Sequence, residues 1–198
     1  MVENNQHNDC LELTDEQLVE QTLEDREKFA CLMRRYEARL LRYVLRISGM
    51  SRDDAEDVLQ DAFIAIYRNL HGFDRDRKFS TWAYRIVRNA TISAARKTQV
   101  KHKYVIADVG DEMLERLKSD EDIALTTDRT MDAAIVHETL NSLKEDQREI
   151  LVLHYLEGLG YAEISDVLMI APGTVASRLS RAKQCFKKNY QDQQPNNL

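Results

Sequence analysis

The sequence predicts an all-α protein: two small helical domains joined by a flexible acidic linker, the second containing a helix-turn-helix. Three observations predict it. Only 2 prolines and 6 glycines occur in 198 residues, and the first proline is Pro172, so turn chemistry is scarce. Hydrophobic residues make up 43 % of the chain, enough to build cores and to exclude global disorder. In both halves, apolar residues recur at steps of three and four, the period of a helix with one buried face.

The elements follow in order. Residues 1–13 are polar and acidic and read as a mobile tail. Thr14 and Gln17 form a capping-box pattern that starts a short helix carrying Leu18, Val19 and Leu23. A longer helix over 26–47 lines up Phe29, Leu32, Tyr36, Leu40, Tyr43 and Ile47, and Gly49 ends it. Ser51 caps the next helix, which reaches about residue 70 with Ala55, Val58, Leu59, Ala62, Phe63 and Ile66 as its apolar stripe. Residues 71–79 read as a polar loop, and Ser80 is placed to cap a third long helix to about Lys97.

Residues 98–130 have weak periodicity and read as an acidic linker, with a short helix expected around 113–117. Helical spacing resumes at Met131 with Val136, Leu140 and Leu143, then Ile150, Leu151 and Leu153, before Gly158 and Gly160 interrupt it. A short helix over 161–168, a turn at 169–171 and Pro172 at the first turn of a final helix complete the pattern. The domains are thus 14–97 and 131–190, flanked by the 1–13 and 191–198 tails.

No apolar run approaches membrane-spanning length, and the beginning of the chain is acidic and polar, so neither membrane insertion nor a signal peptide is expected. Cys10, Cys31 and Cys185 are odd in number and widely spaced, and are expected as reduced thiols of a cytoplasmic protein. His7 and Cys10 alone make no metal site. No cofactor is indicated.

The formal charge of −6 argues against nucleic acid only as an average. Residues 1–25 sum to −8, residues 26–107 to +9, 108–138 to −7, 139–170 to −4 and 171–198 to +4. From Arg77 to Ala107 there are eight Lys or Arg and no acid, the one-sided field expected of a polyanion-binding face.

Three helices carry specific chemistry. On the 51–70 helix Asp53, Asp57, Gln60 and Asp61 lie opposite the apolar stripe, with Asp54 nearby. Asp53–Asp57 also matches the DDxxD pattern of isoprenoid synthases, which bind magnesium diphosphate; those enzymes need a large helical cavity and a second metal motif, and neither fits in this length. On the next helix Arg85, Arg88, Ile92 and Arg96 share one side, while Ala83, Val87, Ala90 and Ala94 make the packing side. Phe73, Phe79, Trp82 and Tyr84 are interleaved with these cations, a mixture suited to unpaired bases. Some of these rings belong to the core, and Phe63, Tyr67 and Trp82 are candidates to pack together.

The segment 161–188 reads as a helix-turn-helix. Val175, Leu179, Ala182 and Phe186 share one face of its second helix, and at about 100° per residue Ser177, Ser180, Arg181 and Gln184 point the other way. That outer face has no acid and suits a major groove, with Arg178, Lys183, Lys187 and Lys188 beside it for phosphates.

Two blocks together resemble a known family. "DDAEDVLQDAFIAIYRNLHGF" followed by "FSTWAYRIVRNA" resembles conserved region 2 of bacterial sigma factors, and "LNSLKEDQREILVLHYLEGLGYAEISDVLMIAPGTVASRLSRAKQCFKK" resembles region 4. The arrangement is similar to the extracytoplasmic-function (ECF) group, and the resemblance runs from about Asp15 to Lys188. It implies a non-enzymatic initiation subunit that binds RNA polymerase core and directs it to promoter DNA. By that resemblance Asp54, Asp57, Gln60 and Asp61 dock on the β′ clamp helices of core polymerase, whose β flap is a further expected contact. Phe73, Arg75, Arg77, Lys78, Trp82, Tyr84, Arg85, Arg88 and Asn89 would melt and hold the −10 element, with 71–79 as the loop that captures a flipped base. Thr174, Ser177, Arg178, Ser180, Arg181, Lys183 and Gln184 would read the −35 element. An anti-sigma partner is implied as well.

Departures from the family pattern bear on the promoter sequence. Ala176 stands where a cation is common, Met169 where the turn usually has Gly, and Lys144-Glu145 where Pro-Pro is common. The 33-residue linker reaches about 110 Å when extended, against roughly 50–70 Å between the two promoter elements. Its acidity resembles that of the family's linker, which lies in the RNA path. The alternative from another class is a stand-alone helix-turn-helix regulator, which leaves the acidic face and the aromatic-basic helix without a task.

Overall fold

The computed structural model describes residue 10 and residues 12–98 and 129–193. The chain divides into two compact units, Met1–Lys101 and His102–Leu198. Every regular element in the described residues is helical. The predicted 113–117 helix and most of the linker and tails lie outside the described residues.

The first unit contains α1 (Asp15–Glu24), α2 (Phe29–Ser48), α3 (Arg52–Asn69) and α4 (Phe79–Thr98). The Thr14 hydroxyl accepts from Gln17 N–H at 3.2 Å, and the Gln17 side chain accepts from Thr14 N–H at 2.8 Å, so the predicted capping box starts α1. Between α1 and α2 the chain makes a 3-10 turn over Arg26–Lys28, because Asp25 turns its carboxylate onto Glu27 N–H. The α-helix therefore begins at Phe29 rather than Arg26.

Gly49 ends α2 at φ 65°, a conformation that costs glycine least. Ser51 caps α3, its hydroxyl accepting from Asp54 N–H at 3.2 Å. The expected Ser80 cap does not form. The helix starts at Phe79, two residues before the Thr81 start that such a cap requires, with Trp82 N–H already bonded to Lys78 C=O, which puts Ser80 inside the first turn.

Leu32, Leu40, Tyr43, Val44, Ala55, Ala62, Ile66, Ala83, Tyr84 and Val87 are buried at the junction of α2, α3 and α4. α1 lies against α2 and also meets α4 and the turn at Leu70–Gly72.

The aromatics nearest the loop and the start of α2 form two clusters. Phe29 meets Phe63 and Tyr67 at 6.4 and 5.0 Å between ring centres, while Phe73, Phe79 and Trp82 sit within 5.2–5.8 Å of one another. Trp82 thus packs with the loop aromatics and not with Phe63 and Tyr67, because it emerges from the first turn of α4 beside the loop.

The expectation of reduced thiols is corrected for two of the three cysteines. Cys10 and Cys31 form a disulfide, and Cys185 is the free thiol, accepting from the Gln147 amide at 3.3 Å. The fold brings the pair together because Arg35 in α2 gathers the chain before α1. Its guanidinium donates to Cys10 C=O at 2.5 Å and Leu13 C=O at 2.9 Å, and pairs with Asp15 at 2.6 Å. The described end of the predicted tail is thereby fixed to α2.

Beside this clasp the buried Tyr36 hydroxyl donates to Asp15. Burial, then the Asp15 hydrogen bond and charge, push the Tyr36 phenol well above the ordinary tyrosine range. The folded chain therefore keeps a proton that the unfolded chain releases near pH 10, so stability falls as pH rises through that range. Tyr36→Phe is expected to cost about 1 kcal/mol at neutral pH and to flatten that decline. Denaturation followed by the fluorescence of Trp82, the single tryptophan, at neutral pH and at about pH 11 checks it.

The second unit contains α5 (Arg129–Ser142), α6 (Glu145–Leu151), α7 (Tyr161–Leu168) and α8 (Pro172–Gln193), with a π-helical turn at Val152–Leu156 extending α6. α8 packs against α5, α6 and α7. Its predicted stripe of Val175, Leu179, Ala182 and Phe186 is buried throughout, and Tyr190 continues it by stacking on Phe186 at 6.0 Å.

Candidate nucleic-acid interface

The turn between α7 and α8 sets the presentation of α8. Gly160 N–H donates to the Glu163 carboxylate at 2.7 Å, which starts α7. Met169 ends it in the left-handed conformation at φ 55°, ψ 45°. The Ser165 hydroxyl then donates to Ile170 C=O at 2.5 Å, and Thr174 and Val175 N–H close on Ala171 C=O.

A non-glycine side chain in that region costs about 1–2 kcal/mol, and Met169 is 71 % exposed, so its side chain recovers little by burial. Met169→Gly is expected to stabilise the second unit by about 1 kcal/mol, the larger unfolded entropy of glycine taking back part of the gain. Amide hydrogen exchange of α7 and α8 reads this directly; unchanged protection contradicts it.

With the apolar stripe inward, Ser177, Arg178, Ser180, Arg181 and Gln184 are exposed, and Thr174 and Lys183 are half-buried at the edge. Ser177 bonds back to Thr174 C=O at 3.1 Å. No acid lies between Pro172 and Tyr190 of α8. The face has the width of one helix, the element a major groove admits.

In the first unit the loop before α4 is organised from within. Asp74 accepts from Asp76 N–H with its carboxylate and from Arg77 N–H with its carbonyl, and its carboxylate pairs with Arg77 at 3.3 Å. Arg75 pairs with Glu20 of α1 at 2.8 Å, and Phe79 N–H donates to Glu16 of α1 at 3.4 Å. Glu16 and Glu20 are positioning residues that sequence reasoning missed. They lie 63 and 55 residues from their partners, and no local pattern announces such a contact.

Of the predicted strand-binding residues, Arg75, Arg77, Lys78 and Asn89 are exposed, and Trp82, Arg85 and Arg88 are half-buried at the surface. Tyr84 and Phe73 are corrections. Tyr84 is fully buried, packs on Tyr43 at 5.0 Å and carries Arg39 over its ring at 5.5 Å, so it supports α4 from beneath. Phe73 is also buried and fixes Trp82 from below. The 3.6-residue period turns position 84 inward beside the expected packing residues Ala83 and Val87, which the interleaving of aromatics with cations concealed.

The acidic helix borders a groove of about 450 Å³ between α2 and α3. Met33, Glu37 and Leu41 form one wall, and Asp57, Gln60 and Phe63 stand on the other. Asp54 and Asp61 are exposed but do not line it, and Asp54 is engaged in capping, accepting from the Ser51 hydroxyl at 2.6 Å. The α2 wall was legible as a spacing of four along the helix, but its residues were not singled out. Met33 and Ile64 are exposed apolar residues, at 36 % and 43 %.

The two units therefore define a class: a helical protein with a helix-turn-helix in one module and a cation-bordered aromatic loop plus an acidic groove in the other. The profile for Sigma-70 region 2 matches residues 32–100, and that for Sigma-70, region 4 matches residues 133–186. The RNA polymerase sigma-H factor of Pseudomonas aeruginosa is 36 % identical, over 89 % of this chain and 94 % of its own. The ECF RNA polymerase sigma factor SigW of Bacillus subtilis is 33 % identical, over 85 % and 91 %. Among solved structures, the sigma factor RpoE in complex with the anti-sigma factor NepR from Bartonella quintana shares the fold, with a TM-score of 0.60 and 23 % identity over 85 % of this chain and 99 % of that one.

The chain belongs to the sigma-70 family, in its ECF group. Its function is that of a sigma factor, directing promoter-specific transcription. Members of this family are initiation factors, not enzymes.

Proposed function

We propose that the two modules divide promoter recognition between them. The module over 14–97 docks on the β′ clamp helices of core polymerase through the α2–α3 groove and the Asp54, Asp57, Gln60 and Asp61 edge. The loop at 71–79, with Arg75, Arg77 and Lys78, receives a flipped base of the −10 element. Trp82 offers a stacking edge, and Arg85, Arg88 and Asn89 hold the non-template strand. The module over 131–190 reads the −35 duplex with Ser177, Ser180, Arg181 and Gln184, while Thr174, Arg178 and Lys183 position it on phosphates, and it also meets the β flap. The segment over 98–130 links the modules as an acidic tether.

One observation carries this reading over that of a stand-alone regulator: the first unit presents a carboxylate-edged groove and, on the acid-free helix α4, a separate basic face with Trp82 at its edge. The groove suits a protein partner and the other face suits an unpaired strand. Action on polymerase places the chain in the cytoplasm. No helix among the described residues is long and apolar enough to cross a membrane. Since the similar RpoE is captured with an anti-sigma factor, a protein of that kind is proposed as a partner here too.

Asp57→Ala with Asp61→Ala is expected to weaken core binding by about 1–2 kcal/mol, roughly ten-fold, because each exposed charge contributes modestly. Titration of labelled core polymerase checks this, with Trp82 fluorescence confirming the fold. Unchanged affinity makes the acidic edge a solvated surface.

A further inference from the structure

We propose that Cys10 and Cys31 are a reversible thiol–disulfide exchange site whose state sets how firmly α1 and the 71–79 loop are held. The disulfide closes a span of 21 residues with the two Cα atoms 5.6 Å apart, and it ties the chain before α1 to the first turn of α2. Its two ends differ in access. Cys31 is 5 % exposed, whereas Cys10 is half-buried, so Cys10 is the end we assign to attack by an incoming thiolate.

Arg34 places its guanidinium 3.8 Å from the Cys10 sulfur and 3.9 Å from the Cys31 sulfur. A fixed cation there stabilises the sulfur that leaves as thiolate. The Arg35 bonds to Cys10 C=O, Leu13 C=O and Asp15 do not depend on the S–S bond, and they keep the two thiols near each other for reclosure.

The exchange partner is a dithiol of the reducing cytoplasm, where disulfides that persist are mostly redox-sensing or catalytic. One thiolate of the dithiol attacks Cys10 Sγ, the S–S bond breaks, and Cys31 departs as a thiolate and takes up a proton. The second thiol of the reductant then displaces Cys10 from the mixed disulfide. The dithiol loses two electrons and two protons to become a disulfide, and the protein gains two thiols. The reverse reaction, with a disulfide as oxidant, closes the clasp.

The consequence passes along α1. Its start is tied by the clasp, while Glu16 and Glu20 on its length bond Phe79 N–H and Arg75. Opening the disulfide returns freedom to the segment that precedes α1 and loosens the helix that holds the loop. The effect on the −10 element rests on the reading of that loop as strand-binding; the thiol chemistry and the change in loop order do not.

The full chain, oxidised with a small disulfide and then reduced with dithiothreitol, provides the test. Alkylation and peptide mapping should show a Cys10–Cys31 cross-link in the oxidised sample and all three cysteines alkylated after reduction, with Cys185 linked to neither of the others. Amide exchange in α1 and the loop should quicken about ten-fold on reduction. Cys10→Ser should exchange like the reduced protein and ignore dithiothreitol, without disturbing the buried Cys31 position.

Alkylation of both cysteines in the oxidised sample overturns the proposal, as does equal exchange of α1 and the loop in the two states. If the loop loosens as expected while opening of a −10 promoter fragment with core enzyme is unchanged, the strand-binding reading fails and the clasp stands.

Discussion

Phe79→Ala is expected to destabilise the first unit by about 3–5 kcal/mol. The ring is 2 % exposed and touches Tyr36 at 5.4 Å, Phe73 at 5.8 Å and Trp82 at 5.8 Å between ring centres. Removing it leaves a cavity where α2, the loop and the first turn of α4 meet, and partial collapse recovers only part of the lost contact.

Phe79 also joins structure to function, since its N–H is bonded to Glu16 and its ring supports Phe73 and Trp82 beneath the loop. Denaturation followed by Trp82 fluorescence measures the shift. Hydrogen exchange of α8 should be unchanged, because α8 belongs to the other unit. A shift below about 1 kcal/mol would mean that the cluster does not organise the loop. Phe79→Leu, which fills much of the space, should recover more than half of the loss.

Arg181→Ala carries the second large expectation. Arg181 is exposed on α8, faces away from the buried Leu179 and Ala182, and lies on a surface without acids. A bidentate base contact contributes roughly 1–3 kcal/mol, so the variant should lose about 5- to 150-fold in affinity for its −35 duplex and discriminate less at one base pair. Competition binding at fixed salt against single-base variants of the duplex measures both. A uniform loss across sequences, with a shallower salt dependence, would reassign Arg181 to a phosphate.

The helices were legible because their signals are local. The Thr14 capping box, the Ser51 cap, the Gly49 stop, Pro172 at the start of α8 and the four-residue stripe from Val175 to Phe186 each concern residues a turn or so apart. Contacts across sequence were not legible. The disulfide joins positions separated by 21 residues, and cysteine spacing alone pointed to free thiols. Glu16 and Glu20 reach the loop through tertiary packing.

The resemblance to sigma regions, carried by residues, pointed to faces of α3, α4 and α8 but not to which side chains on them are exposed. Tyr84 shows the difference. It sits between Trp82 and Arg85 in sequence, yet the helical period turns it onto Tyr43 in the core. The acidic edge shows the converse: Asp57 and Gln60 line a groove whose other wall, Met33, Glu37 and Leu41, is on a helix read only for its core face.

On the proposed reading, this one chain gives core RNA polymerase a promoter preference through two modules. Run-off transcription with purified core enzyme, on promoters selected from a random library by core enzyme loaded with this chain, tests it most directly. Specific transcripts should appear only when the chain is present, from templates sharing two elements about one and a half to two helical turns apart. Transcription no greater than with core enzyme alone on every selected template, with the chain folded, would contradict the account.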